Sequence, residues 1–395
     1  MQIGSFRFDR IEFAGSLGDL GTLIPLSVAL MVITGLSVTS VLLAVGLFYI
    51  ITGLYYKLPI PVQPLKVASA IAIAYPAKIT LPIMAAAGRV FGVMLLFLAL
   101  TGLIDWLARF FTKPIMRGIQ LGLGLILMHK GIGFITEQNI FIHQSGATVS
   151  LLGISLNTLI GIIGVFITLL LLSSKRFPAA LVIVTAGIGI GILFGALHNV
   201  TLTLGPTPIH LYKPTIDDFL NATFLLVIPQ IPLTLGNAVM GTADTCFSLF
   251  GKGEITKRAT YRAFATSMGL TNIATGAIAG MPMCHGAGGL AAHYRFGART
   301  GGSNIMIGAI FLIIALSFGK IGISLLSSVP QAILGVLLLF AGLELALLIR
   351  DITDKNELFI AILIAGIGFA TTNMGIAFFL GILIMYLIKL RNIKL

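Results

Sequence analysis

Two stretches of the chain combine residues that can hold an anion with backbone that cannot be helical. Residues 58–66, LPIPVQPLK, carry three prolines, which remove backbone donors and forbid a continuous helix. Residues 280–290, GMPMCHGAGGL, carry Pro282 and a cluster of glycines with the same effect. A helix resuming after such a break exposes unpaired N–H groups and about half a positive elementary charge at its N-terminus. Two of these ends facing each other at membrane depth make an anion trap. The first presents Gln63, Pro64, Leu65 and Lys66, the second Cys284, His285, Gly286, Ala287, Gly288 and Gly289. Glycines let amides approach a ligand closely, and Gln63 and His285 offer directed donors; donors with few fixed negative charges suit an oxyanion. The GAGG run taken alone is equally a packing motif, since small residues line close helix contacts in membranes.

Other polar residues are weighed in the same way. Asp19, Lys66, Arg89 and Asp244 fall in apolar segments, where each facing lipid costs about 2.5–3.5 kcal/mol, so all four are expected to face the bundle interior. Asp19 sits in the small-residue stretch GSLGDLGT, residues 15–22, which can admit water and ions. It is the leading candidate for a coupling proton or cation, the other reading being a structural carboxylate. Asp244 carries the same two readings. Lys66 either neutralises part of a bound dianion or pairs with Asp19 or Asp244 in the empty protein, and Arg89 is read as structural. Gln120 in RGIQLGLGL and Asn237 in LTLGNAVMG are expected to flank the site, or else to join helices at about 0.6–2 kcal/mol each. Glu344 and Asp105 are expected to be solvated near segment ends. His129, His143, His198, His210 and His293 lie toward segment ends without metal-ligand spacing and are read as surface residues.

No catalytic constellation emerges. Cys284 and His285 are adjacent, but sequence neighbours rarely point at one another, and no strand–turn context supports a nucleophile. Cys246 and Cys284 both lie in apolar segments, which argues against a disulfide framework or a zinc site. The expectation is a protein that is not an enzyme and uses no metal or cofactor.

The elements that must position these residues follow from composition. In 395 residues, 57% are hydrophobic and only 10% charged, too little polar surface to cover a soluble globule. Apolar runs of the roughly 20 residues that span a bilayer recur along almost the whole chain. They are read at 13–35, 38–56, 66–77, 82–107, 114–134, 150–172 and 178–198, then 219–250, 257–279, 285–297, 303–319, 322–348, 357–372 and 374–390. The first span follows no small-residue cleavage site and is expected to stay in the mature protein. The net charge of +12 reads as topology rather than as a nucleic-acid partner. With both termini cytoplasmic, only Lys78, Lys130, Lys213 and Lys320 lie outside and Lys66 and Arg89 within the membrane; every other Lys and Arg falls inside.

The third and tenth segments are too short to span alone, and each follows one of the two breaks. Non-helical backbone at that depth survives only where protein or a water-filled cavity satisfies it. The breaks occupy corresponding places in the halves 1–200 and 218–395, which are joined by a polar, proline-bearing extracellular linker, 201–217. Seven segments followed by seven more give repeats of opposite orientation, and paired interrupted segments in such halves point to a transporter's substrate site. The fold expected is an all-α polytopic membrane protein of about fourteen segments in two inverted seven-segment repeats. An anion channel is the alternative class, though it would need a continuous pore.

The stretches GSLGDLGTLIPL, LPIPVQPLKVASAIA, RGIQLGLGL and GMPMCHGAGGLAAHYRFGARTGG resemble the plant-type molybdate transporter family, a branch of the sulfate permease superfamily, across nearly the whole chain. The resemblance implies a core and a gate domain, with molybdate bound between the third and tenth half-helices. Gln63, Lys66, Cys284, His285, Gly286, Ala287 and Gly288 would line the site, with Asp19, Gln120, Asn237 and Asp244 nearby. The chain stops at Leu395 without the regulatory STAS domain of many sulfate permeases, as expected for the molybdate branch. Proton-linked symport across the cell membrane is the expected mechanism, with sulfate or another oxyanion as the alternative cargo and a homodimer left open.

Overall fold

The computed structural model describes residues 2–104, 112–141, 150–151, 153–172, 179–194, 203–371 and 373–391. Asp105, His143 and His198 lie outside the described residues. In the first half, β1 (Gln2–Ile3) and β2 (Phe6–Arg7) form a small hairpin ahead of α1 (Arg10–Ser16), α2 (Leu20–Thr34) and α3 (Val38–Tyr56). Then come β3 (Gln63–Pro64), α4 (Lys66–Ala74), α5 (Leu81–Thr101), α6 (Lys113–Thr136), a second hairpin of β4 (Ser150–Leu151) and β5 (Ile154–Ser155), α7 (Leu156–Leu171) and α8 (Ala179–Leu193). The second half runs through the long helix α9 (Ile216–Phe250), α10 (Tyr261–Ala277), β6 (Met283–Cys284), α11 (Ala287–Arg295), α12 (Gly302–Ser327), α13 (Gln331–Ala346), α14 (Lys355–Thr371) and α15 (Met374–Arg391).

The chain is a multi-pass integral membrane protein. Among the described residues six helices are long and apolar enough to cross a membrane, or seven if α1 and α2, bent by 46° at residues 17–19, form one span. Local signals set their ends. Asp9 caps α1 by accepting from the amides of Ile11 and Glu12, Ser37 caps α3, Thr260 caps α10, and Gly35 closes α2 in the left-handed region at φ 74°. α4 and α11, nine residues each, are only about 13 Å long, less than half the hydrocarbon thickness. One expected boundary is moved. The break placed near residue 320 falls inside α12, which runs on to Ser327. The chain turns instead at Pro330, whose ring disfavours helix at the preceding residue. What looked like a turn around Lys320 is a docking point: the Lys320 amide donates to Gly205 O and the Gly205 amide to Ser317 O, lacing the linker onto the helix.

Three antiparallel helix pairs are the most extensively packed: α3 with α12, α5 with α10 and α6 with α13. Lipid supplies no hydrophobic drive for helix association, so backbones must approach closely. Glycines seven residues apart do this on facing helices: Gly46 and Gly53 meet Gly308 and Gly301, and Gly124 and Gly131 meet Gly342 and Gly335. A Cβ at Gly335 would lie 2.5 Å from Gly131 O, and one at Gly131 would lie 2.6 Å from Gly335 O. Neither contact can relax, since both partners are backbone. Gly335→Leu is therefore expected to cost at least about 1–3 kcal/mol and to lower the melting temperature of the purified protein. Gly133→Ala, on the same α6 but facing open space, is expected to leave the melting temperature unchanged or raise it.

Candidate functional site

At the centre of the bundle the two breaks cross. β3 and β6 pair antiparallel, with Gln63 opposite Cys284 and Pro64 opposite Met283. The Leu65 amide donates to Pro282 O at 2.9 Å, and the Cys284 thiol lies 3.5 Å from Pro64 O. α4 and α11 start immediately after these strands, which places the two half-helix N-termini side by side.

Buried backbone polar groups must be paired, and here side chains from distant segments supply the partners. Along residues 59–62, the Pro59 carbonyl accepts from His293 Nδ1, Ile60 from Asn304 Nδ2, Pro61 from His285 Nδ1 and Val62 from the Tyr49 hydroxyl, at 3.0, 2.6, 2.8 and 3.3 Å. Asn272 does the same for β6, donating to Met283 O at 2.7 Å and accepting from its amide at 3.0 Å. Two expectations change. His285, read as a donor to an anion, is fully buried and held on both ring nitrogens, with Nε2 3.0 Å from Ser267 Oγ, so it braces the strand. His293, read as a surface residue, is also fully buried and performs the same task at Pro59.

The half-helix ends differ. At α4 the amides of Val67 and Ala68 donate to Gln230 Oε1 at 2.9 and 3.1 Å, and Gln230 Nε2 donates to Thr234 Oγ1 at 2.9 Å. Gln230 was not singled out from the sequence; the signal was a lone carboxamide between two prolines, IPQIP, in an apolar span. At α11 the N-cap is Gly286, which has no side chain to offer, and among the described residues the amides of Ala287, Gly288 and Gly289 have no partner. Gly288 is exposed and a Cβ there would meet nothing within 4 Å. The N-terminus of α11 is thus open, while that of α4 is filled from within.

Asp19 stands at the start of α2, where the bend frees its side chain from capping. Only 3% exposed, it accepts from Gln63 Nε2 through both carboxylate oxygens at 2.8 Å. The Gln63 carboxamide lies across Gly286 and Gly289, where any Cβ would collide with it, and its Oε1 is buried without a partner among the described residues. This is why the GAGG run must be small at two of its positions. Lys66 is half-buried at the start of α4 and, among the described residues, makes no ion pair with Asp19 or Asp244.

α9 changes to π-helical winding over Thr234–Gly241, a feature frequent at functional sites, and so brings Gly241 and Asn237 beside Ala287. Asn237 is half-buried with its carboxamide free of hydrogen bonds among the described residues. Gln120 is buried farther out, accepting from Arg117 Nη1 at 2.8 Å, and Arg117 in turn grips Asp351 through two nitrogens. Asp244, expected in the interior, is exposed and accepts from the Tyr261 hydroxyl at 3.0 Å. At 35 residues, α9 is about 52 Å long, well beyond the hydrocarbon core, and Asp244 lies in its last two turns. Glu344 is exposed, as expected.

A polytopic bundle with interrupted segments crossing at its centre and an open helix terminus between them is a fold shared with two solved structures. The transmembrane domain of a cyanobacterium bicarbonate transporter, BicA, superposes with a TM-score of 0.67 at 14% identity, over 93% of this chain and 96% of that one. The murine Solute Carrier 26 family member A9 anion transporter in the inward-facing state gives 0.69 at 14% identity, over 100% of this chain and 70% of that one. The family model described as "Molybdate transporter of MFS superfamily" matches residues 11–127 and 222–345. Molybdate transporter 2 of Arabidopsis thaliana is 33% identical over 97% of this chain and 88% of its own length, and Molybdate transporter 1 of Chlamydomonas reinhardtii is 29% identical over 94% and 90%. The chain belongs to the molybdate transporter family, a family of carriers rather than enzymes.

The filled end of α4 yields a test. Gln230→Leu leaves two buried amides unpaired, at about 1–3 kcal/mol each, and is expected to lower the melting temperature markedly. Gln230→Glu keeps an acceptor that a helix N-terminus favours, so stability is expected to recover, while the added negative charge suppresses anion uptake.

Proposed function

We propose that the protein is a secondary active transporter of molybdate, working by alternating access and coupled to protons. The observation that supports this most directly is the open N-terminus of α11, three amides unpaired among the described residues, together with a half-buried Lys66 that makes no ion pair among them. A tetrahedral oxyanion has the charge and the acceptors for such a cradle, with Asn237 as a further donor. Cys284, Gly286, Ala287 and Gly288 form its rim and Gln120 its outer support; His285 holds its shape.

Coupling is needed because bringing a dianion into a negative interior costs about 4.6 kcal/mol per 100 mV. Asp19 suits the task, since its hydrogen-bond partner is a neutral carboxamide and among the described residues no cation pairs with it directly. Once protonated, Asp19 can donate to Gln63 Oε1, the buried acceptor that now lacks a partner. Turning the carboxamide over for that bond swings Nε2 toward Gly286 and the oxyanion, so that proton and anion favour each other's binding.

The pairing of helices supports two inverted repeats, 1–200 and 218–395, around the linker 201–217. Exchanging the halves maps α3 with α12 onto α10 with α5, and maps α6 with α13 onto itself. This agrees with fourteen segments, a core and a gate domain, and both termini on the cytoplasmic face of the cell membrane. Sulfate or tungstate as the cargo is the second reading, because tetrahedral dianions present the same acceptors.

Calorimetry with molybdate, tungstate and sulfate on the purified protein tests the substrate. Molybdate binding is expected to persist in excess sulfate and to be lost in Gln63→Ala; equal sulfate binding would replace molybdate with a general oxyanion. Uptake into proteoliposomes tests coupling: a pH gradient, acid outside, is expected to drive accumulation in the wild type and not in Asp19→Asn, which should still bind. Uptake indifferent to the gradient in both would remove the proton from the mechanism.

A further inference from the structure

On the linker side of the bundle lies a cavity of about 310 Å³, away from the centre. Its lining includes Ser37, Ser40, Leu81, Thr207, His210 and Tyr212 and no acidic residue. Two long helices begin at it. α3 starts behind the Ser37 cap, and α5 starts at Leu81 behind Thr80, whose side chain caps nothing. The Ser40 side chain, in the first turn of α3, is 1% exposed, and its Oγ has no partner among the described residues. Opposite it, Ser37 Oγ and Thr207 Oγ1 lie 2.8 Å apart, and the Thr207 amide is held by Thr39 Oγ1. Behind the wall Arg89 donates to Tyr212 O, and among the described residues no carboxylate pairs with it, so its charge adds to the field of the two helix termini.

Leu36, Leu81, Pro208, Ile278 and Ala279 make much of the wall apolar, but the hydroxyls and helix N-termini gathered in a positive field without a carboxylate match a small, partly hydrated oxyanion rather than a cation. The wall also leads inward. Ile278 and Ala279 line the cavity, and the chain runs from them within five residues to β6 and within nine to the open end of α11. Resting on the transport reading above, we propose that this cavity is a second oxyanion site, which takes molybdate on the linker side and hands it to the centre.

The test places a reporter at the rim. In full-length protein in nanodiscs, His210→Cys supplies an exposed thiol for a charged maleimide, while native Cys246 and Cys284 are buried and the wild type gives the background. Molybdate is expected to slow labelling, and to slow it still when Gln63→Ala disables the central site. Adding Ser40→Ala is expected to raise the half-protecting molybdate concentration about tenfold, the loss of one hydrogen bond to an anion. Protection that disappears with Gln63→Ala would mean a rearrangement driven from the centre and would overturn the proposal. So would an absence of protection in both backgrounds, or a half-protecting concentration untouched by Ser40→Ala. Failure of the central site itself shows separately, as calorimetric molybdate binding that Gln63→Ala leaves intact.

Discussion

A peptide group at membrane depth has no water to fall back on, and the rest of this structure follows from how that demand is met where the chain cannot be helical. Prolines at 59, 61 and 64 remove any chance of an internal ladder. The carbonyls they strand are taken up by Tyr49 on α3, His285 just after β6, His293 on α11 and Asn304 on α12. Those bonds fix where the strand runs, and the strand fixes where two helices begin. The proposed transport site is the remainder of this accounting, the few amides at α11 that have no partner among the described residues.

What could be read in the sequence is what acts locally. Proline and glycine break helices wherever they stand, so both interruptions and the short segments after them were legible from residue types alone. Apolar length likewise gave the six or seven helices that are long enough to cross a membrane. The break misplaced at Lys320 shows the limit: glycines beside a lysine look like a turn, and only the linker docking through Gly205 explains why the helix continues. Roles that depend on distant partners left almost no trace. His285 and His293 differ from surface histidines only in what stands opposite them, more than two hundred residues away in sequence. Gln230 had a signal in its flanking prolines, but a capping role for a half-helix in the other half of the chain is a tertiary fact. Asp244 was misjudged because hydropathy measures how apolar a helix is and not how far it protrudes.

The glycine crossings bear on movement as well as on stability. In each close pair the glycines are reciprocal, so the backbones interlock and slide only with difficulty. A carrier assembled from such rigid pairs is expected to move its parts as blocks, with change concentrated where the winding is irregular, at the α1–α2 bend and in the π-helical turns of α9. Both of these border the site.

Capping one half-helix from within has an electrical consequence. With Gln230 seated on α4, the fixed positive charge facing the cavity is about half an elementary charge from α11 together with one from Lys66. Against this stand two negative charges on a molybdate-like ion and one on Asp19, an excess of about one and a half. Neutralising Asp19 reduces the excess to about one half. With both half-helices open the same count would leave an excess of about one, which a single proton cancels; with α4 capped, about half a charge remains after that proton has arrived.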